Sequence, residues 1–111
     1  MDITTVFQLL SDETRLRILL LLLHQDLCVC ELTEIMKESQ PKISKHMAKL
    51  RTHKLVLANR NEQYIYYSLN PDNELLINQL QLLQPSLQDQ EPYQSDLNVL
   101  QTITEFVCTR G

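Results

Sequence analysis

Residues 30–50 hold the pattern that most limits what this chain can become. Leu32, Ile35 and Met36 recur at the spacing of one helix face, a polar Glu38-Ser39 break follows, and Ile43, Met47 and Leu50 then repeat at i, i+4 and i+7. Ser39 can cap the second segment, and Pro41 falls in its first turn, where a missing N–H costs little. The spacing predicts one helix over roughly 30–37 and another running to about residue 51, joined by a tight turn. With the apolar positions turned inward, Gln40, Lys42, Ser44, Lys45 and Lys49 are left facing out. Two short helices, the second with an amide-bearing and basic outer face, make a helix-turn-helix.

Charge supports that reading. The chain is acidic, at -4, but residues 37–60 alone carry +6 and the remainder -10. Basic charge gathered on one segment is what a nucleic-acid partner requires, whereas a merely solvated helix face usually interleaves acids with its lysines.

The flanks extend the unit. Ile3–Leu10 has one-face helical spacing. Ser11 is the expected N-cap of a second helix reaching about Gln25, whose apolar residues cover most of its circumference and so predict a buried, central element. Arg15 and Arg17 at its start could meet phosphate or form an ion pair within the chain. Beyond the reading helix, Leu55-Val56-Leu57-Ala58 and the aromatic run Tyr64–Leu69 read as strands, and Asn59–Gln63 between them as the bend of a hairpin, since Asn tolerates a left-handed backbone. A hairpin after a helix-turn-helix is a wing. A fifth helix is expected from Asp72 or Asn73 to Leu83, and a last one over 95–109. The expected class is mainly α with a β-hairpin, a winged helix-turn-helix in the order α-α-α-α-β-β-α plus a C-terminal helix. Residues 1–84 would form the DNA-binding and dimerisation domain, 85–94 a linker rich in Pro and Gln, and 95–111 an extension for dimerisation or sensing. Apolar helices at both ends exceed what one small reading head can bury, which predicts a symmetric homodimer.

Composition narrows the setting. The longest apolar run, Ile18–Leu23, is far below the roughly 20 residues of a membrane span. No signal-peptide pattern follows Met1-Asp2, so a cytoplasmic location is expected, with no membrane partner. Three cysteines in that compartment are thiols or metal ligands rather than a disulfide framework. Two of them, Cys28 and Cys30, stand one residue apart where the third helix begins. A zinc ribbon would need a second such pair, which is absent.

Together these segments resemble the ArsR family of winged-helix metalloregulatory repressors. The likeness covers most of the first seventy-odd residues: LSDETRLRIL (10–19), LCVCEL (27–32), SQPKISKHMAKLR (39–51), KLV (54–56) and YIYYSL (64–69). The resemblance implies a homodimer that blocks a promoter and leaves its double-stranded operator when metalloid binds. It places Gln40, Lys42, Ser44, Lys45, His46 and Lys49 on the reading helix and Arg60 on the wing, with Asn61 where the family often has Gly. LCVCEL resembles the thiolate site of the arsenic- and antimony-responsive members, so As(III) or Sb(III) is the expected effector, with no constitutive cofactor.

Trivalent arsenic is a soft centre that prefers three thiolates. Cys28 and Cys30 supply two. The position of the usual third is Thr33, so Cys108, of the same chain or its partner, is the candidate third ligand, against the alternatives that it is a small buried apolar residue and that a water, hydroxide or external thiol fills the gap. Residues i and i+2 of a regular helix lie about 200° apart, so binding is expected to distort or unwind the start of the third helix and thereby couple to DNA affinity. The histidines His24, His46 and His53 all lie outside the last two helices, where zinc- and nickel-sensing relatives place theirs, and no cysteine precedes Cys28 as cadmium sensing would ask. Two rivals are kept: a thiol-redox repressor of the same fold, and a small thiol enzyme such as an arsenate reductase. One Gly in the chain leaves no Gly-rich anion cradle for the latter.

Overall fold

The computed structural model describes residues 2–103. The order is α1 (Ile3–Leu10), α2 (Glu13–His24), β1 (Leu27–Cys28), α3 (Val29–Met36), α4 (Gln40–Thr52), β2 (Val56–Asn61), β3 (Tyr64–Leu69), α5 (Glu74–Leu87) and α6 (Tyr93–Ile103). This is the expected winged helix-turn-helix with one strand added.

Local chemistry sets the boundaries. The N-cap of α2 is Asp12, whose Oδ2 accepts the Arg15 N–H at 3.0 Å, while the expected cap, Ser11, instead closes α1. Ile18 to Leu22 are all buried, so α2 is the central helix of the core. Lys37 takes a left-handed backbone (φ 55°) and ends α3, donating its N–H to Thr33 O at 2.8 Å. Ser39 caps α4 with Pro41 in its first turn, and Ile43, Met47 and Leu50 are buried.

β3 is the middle strand of an antiparallel sheet ordered β1-β3-β2. The wing turns more tightly than expected. Arg60 and Asn61 still pair, with Ile65 and Tyr64, and the left-handed residue is Glu62 (φ 59°) rather than an Asn. β1 was not anticipated. Its two residues pair with β3 as Leu27 to Tyr67 and Cys28 to Tyr66.

The C-terminal region also departs from expectation. Helix α5 continues through Pro85 to Leu87, because a proline in the last turn forfeits only one intrahelical hydrogen bond and Leu87 packs on the core. The connection is correspondingly shorter than 85–94. Helix α6 is no detached extension: Leu100 and Ile103 are buried in the same core as α2 and α3. Thr104, Val107 and Cys108 lie outside the described residues. No helix among the described residues is long and apolar enough to cross a membrane.

Candidate metalloid site and nucleic-acid interface

The cysteine pair owes its geometry to β1. Pairing with Tyr66 holds Cys28 in an extended backbone (φ −95°, ψ 169°), so Cys28 is the N-cap of α3 and not part of the helix. Its N–H donates to Glu31 Oε1 at 3.0 Å, and Glu31 is wholly buried beneath it. This is the return half of a capping box. Cys30 follows in the first helical turn. The two sulfurs then lie 2.9 Å apart, well beyond the roughly 2.04 Å of a disulfide bond, and Cys28 is a free thiol. The expectation that α3 must unwind to bring both sulfurs to one atom is therefore wrong. The separation of about 200° applies to two residues inside a helix, and Cys28 stands outside.

The surroundings favour a neutral thiol. Cys28 is buried against Tyr66, and that burial, reinforced by the Glu31 carboxyl, pushes its pKa up from the ordinary 9.0. Thr33, three residues after Cys30, donates its hydroxyl to Cys30 O at 2.8 Å. Among the described residues no three His, Cys, Asp or Glu side chains converge to hold a metal ion. The third expected ligand, Cys108, is outside the described residues.

The pair opens onto a groove of about 560 Å³ whose other walls belong to the reading unit. Helix α4 contributes Gln40 and Ser44, which are joined by a 3.2 Å hydrogen bond, and the wing contributes Gln63, Tyr64, Ile65 and Tyr67. These wing residues were legible only as a strand; that Tyr64 and Tyr66 pack with the cysteines depends on the β1–β3 pairing.

The outer face of α4 is laid out as its periodicity predicts. Gln40, Lys42, Lys45 and Lys49 are exposed, as is Arg60 on the wing, and Ser44 is half-buried. Lys42 pairs with Glu38 at 3.0 Å, and Arg60 Nε donates to Glu62 O at 3.2 Å. His46 turns from the outer face towards Arg15, with Nδ1 3.4 Å from its Nη1, and burial lowers its pKa. Both arginines of α2 have partners within the chain. Arg15 Nε donates to Leu9 O at 2.9 Å. Arg17 grips Asp96 of α6 with two hydrogen bonds, of 2.8 and 2.7 Å, and reaches Met36 O at 3.3 Å.

A helix-turn-helix with an exposed amide and basic face, followed by a two-stranded wing, defines a winged-helix DNA-binding regulator. Residues 12–56 match the family described as "Bacterial regulatory protein, arsR family". The arsenic resistance transcriptional regulator ArsR2 of Pseudomonas putida is 44% identical over 92 residues, covering 82% of this chain and 78% of that protein. The arsenical resistance operon repressor of Escherichia coli K12 is 46% identical over 67 residues, covering 60% of this chain and 57% of its own length. HlyU from Vibrio cholerae superposes with a TM-score of 0.70 at 30% identity, over 76% of this chain and 90% of HlyU. The chain belongs to the arsR family of bacterial regulatory proteins. It is a DNA-binding transcriptional regulator and not an enzyme.

Proposed function

We propose that the protein is a homodimeric repressor that leaves its operator when trivalent arsenic or antimony binds Cys28 and Cys30, with Cys108 as the third thiolate for the inorganic ions. The observation that carries this is the 2.9 Å approach of the two sulfurs at the N-terminus of α3, the helix that a short turn joins to the reading helix. The names of the arsenic-resistance relatives support the same effector class.

The state of Cys28 favours a metalloid over a divalent cation. A soft cation must displace thiol protons, which burial and Glu31 make costly. Arsenous acid carries its own hydroxyls, and each leaves as water with a thiol proton, so no separated charge forms in the buried site. The homodimer is supported by large apolar side chains left exposed on one chain: Ile3 and Phe7 on α1 and Leu82 on α5. Gln40 and Ser44 would read base edges, with Lys45, Lys49 and Arg60 on phosphate. Operator binding would place the protein in the cytoplasm.

The test is operator release under strictly reducing conditions. Cys28→Ser should bind operator as tightly as wild type and fail to release it on adding arsenite. A variant that still lets go would remove Cys28 from the site. Release that needs an oxidant instead of arsenite would turn the assignment to thiol redox control.

A further inference from the structure

Arg15 ties the start of α2 to the reading helix, and the tie fixes chemistry as well as position. Its Nε donates to Leu9 O at 2.9 Å, and its backbone N–H donates to Asp12 Oδ2 at 3.0 Å. So held, the guanidinium brings Nη1 to 3.4 Å from Nδ1 of His46. A guanidinium only donates. Nδ1 is therefore the acceptor, and the neutral ring carries its one proton on Nε2. An imidazolium would set its Nδ1–H against a guanidinium N–H, so the contact itself opposes a second proton. Burial acts the same way and lowers the His46 pKa from the ordinary 6.5; Asp12 favours the charged ring, while Arg15, Lys42 and Lys45 disfavour it.

The place of the ring on α4 limits what Nε2 can meet. His46 is half-buried, and among the described residues Nε2 has no acceptor. Around a helix of about 100° per residue, Lys42 and Lys49 lie about 40° and 60° from His46, whereas Gln40 and Ser44 lie about 120° and 160° away. His46 thus belongs to the lysine edge of the reading face, and what such an edge meets on duplex DNA is phosphate.

We propose that Arg15 is a positioning residue for DNA binding, which by occupying Nδ1 of His46 reserves the Nε2 proton for a phosphate oxygen. The inference rests on the reading that the outer face of α4 meets DNA. A neutral donor displaces no counterion and gains nothing as pH falls, unlike the lysines and unlike a free histidine.

The experiment uses the full-length protein and a duplex of about 30 base pairs that the protein itself enriches from a random pool. Imidazole ¹⁵N spectra at pH 7 should show His46 as the single Nε2–H tautomer, and Arg15→Met should mix the two tautomers. In fluorescence anisotropy, His46→Phe should weaken binding at least about ten-fold with an unchanged salt slope. His46→Gln, whose amide donates from near the Nε2 position, should restore most of that loss. The ratio of wild-type to His46→Gln affinity should hold within about two-fold from pH 7.5 to 5.5. Between Arg15→Met and the double variant Arg15→Met with His46→Gln, the ratio should instead rise several-fold as pH falls, because the released ring takes a second proton. An Nδ1–H tautomer in wild type, equal pH profiles with and without Arg15, or full binding by His46→Phe where Lys45→Ala weakens, each overturns the proposal. The wild-type spectrum and the His46 variants decide it even where Arg15→Met unfolds. If neither His46→Phe nor Lys45→Ala weakens binding, α4 itself is not the DNA face, a result distinct from failure of the Arg15 contact.

Discussion

Cys28 works as a candidate ligand because of what surrounds it, and Glu31 is the neighbour that matters most. The Glu31 side chain accepts the Cys28 N–H and so holds the backbone at the head of α3. Its carboxyl also adds to the burial that keeps the thiol protonated. Glu31→Gln retains the hydrogen-bond acceptor and removes the charge. Iodoacetamide alkylation of Cys28 at pH 7.5, followed by peptide mass mapping, should then run a few-fold faster than in wild type; an unchanged rate would show that the Glu31 charge does not reach the sulfur. The raised thiol pKa also sets a direction for stability. A group that holds its proton more tightly when folded contributes stability below its unfolded value, near 9.0, and loses it as pH rises through the folded value.

Between elements, the tie to watch is Arg17. From α2 it pairs with Asp96 of α6 and also reaches the carbonyl of Met36, the last residue of α3. The ion pair is nearly closed to water, at 11% and 4% side-chain exposure. Removing one partner of such a pair strands the other, which costs about 3–5 kcal/mol. Asp96→Ala should therefore lower unfolding free energy by about 3 kcal/mol in urea titration. The double variant Arg17→Met with Asp96→Leu should recover most of the loss, since well-packed apolar side chains can replace a buried pair. If Asp96→Ala proves neutral, α6 is not anchored by this contact. Cys28 and Cys30 stand at the opposite end of α3, so the same helix meets the candidate cysteine pair at its start and the C-terminal helix at its finish.

For the whole molecule, charge separation decides how it meets DNA. The reading helix and wing hold the basic excess while the rest of the chain is acidic, so the net -4 does not oppose binding by the exposed face. Each phosphate contact contributes about −0.9 to the slope of log K against log salt. In a homodimer Lys45→Ala removes one contact per chain, so the slope should shallow by about 2, measured by fluorescence anisotropy between 50 and 200 mM salt. A slope equal to wild type would take Lys45 off the phosphate backbone. Metalloid uptake by the same variant should be unaffected, because Lys45 does not line the groove.

Much of this architecture was written locally. The buried faces of α2, α3 and α4, the Ser39 cap with Pro41, the aromatic strand β3 and the basic segment all follow from spacing and side-chain chemistry within a few residues. The winged-helix class followed from these, and Cys28 and Cys30 stood out as a pair by motif. Tertiary structure alone decided how the pair is presented. A two-residue strand has no periodicity and exists only because Tyr66 and Tyr67 lie beside it, yet that pairing keeps Cys28 out of the helix and turns its sulfur onto Cys30. The same holds for the groove, built from residues more than thirty positions apart, and for α6, whose place depends on a partner for Asp96 that sits 79 residues away. Local sequence sets which faces are apolar and where helices start; which distant faces meet is a property of the packed chain.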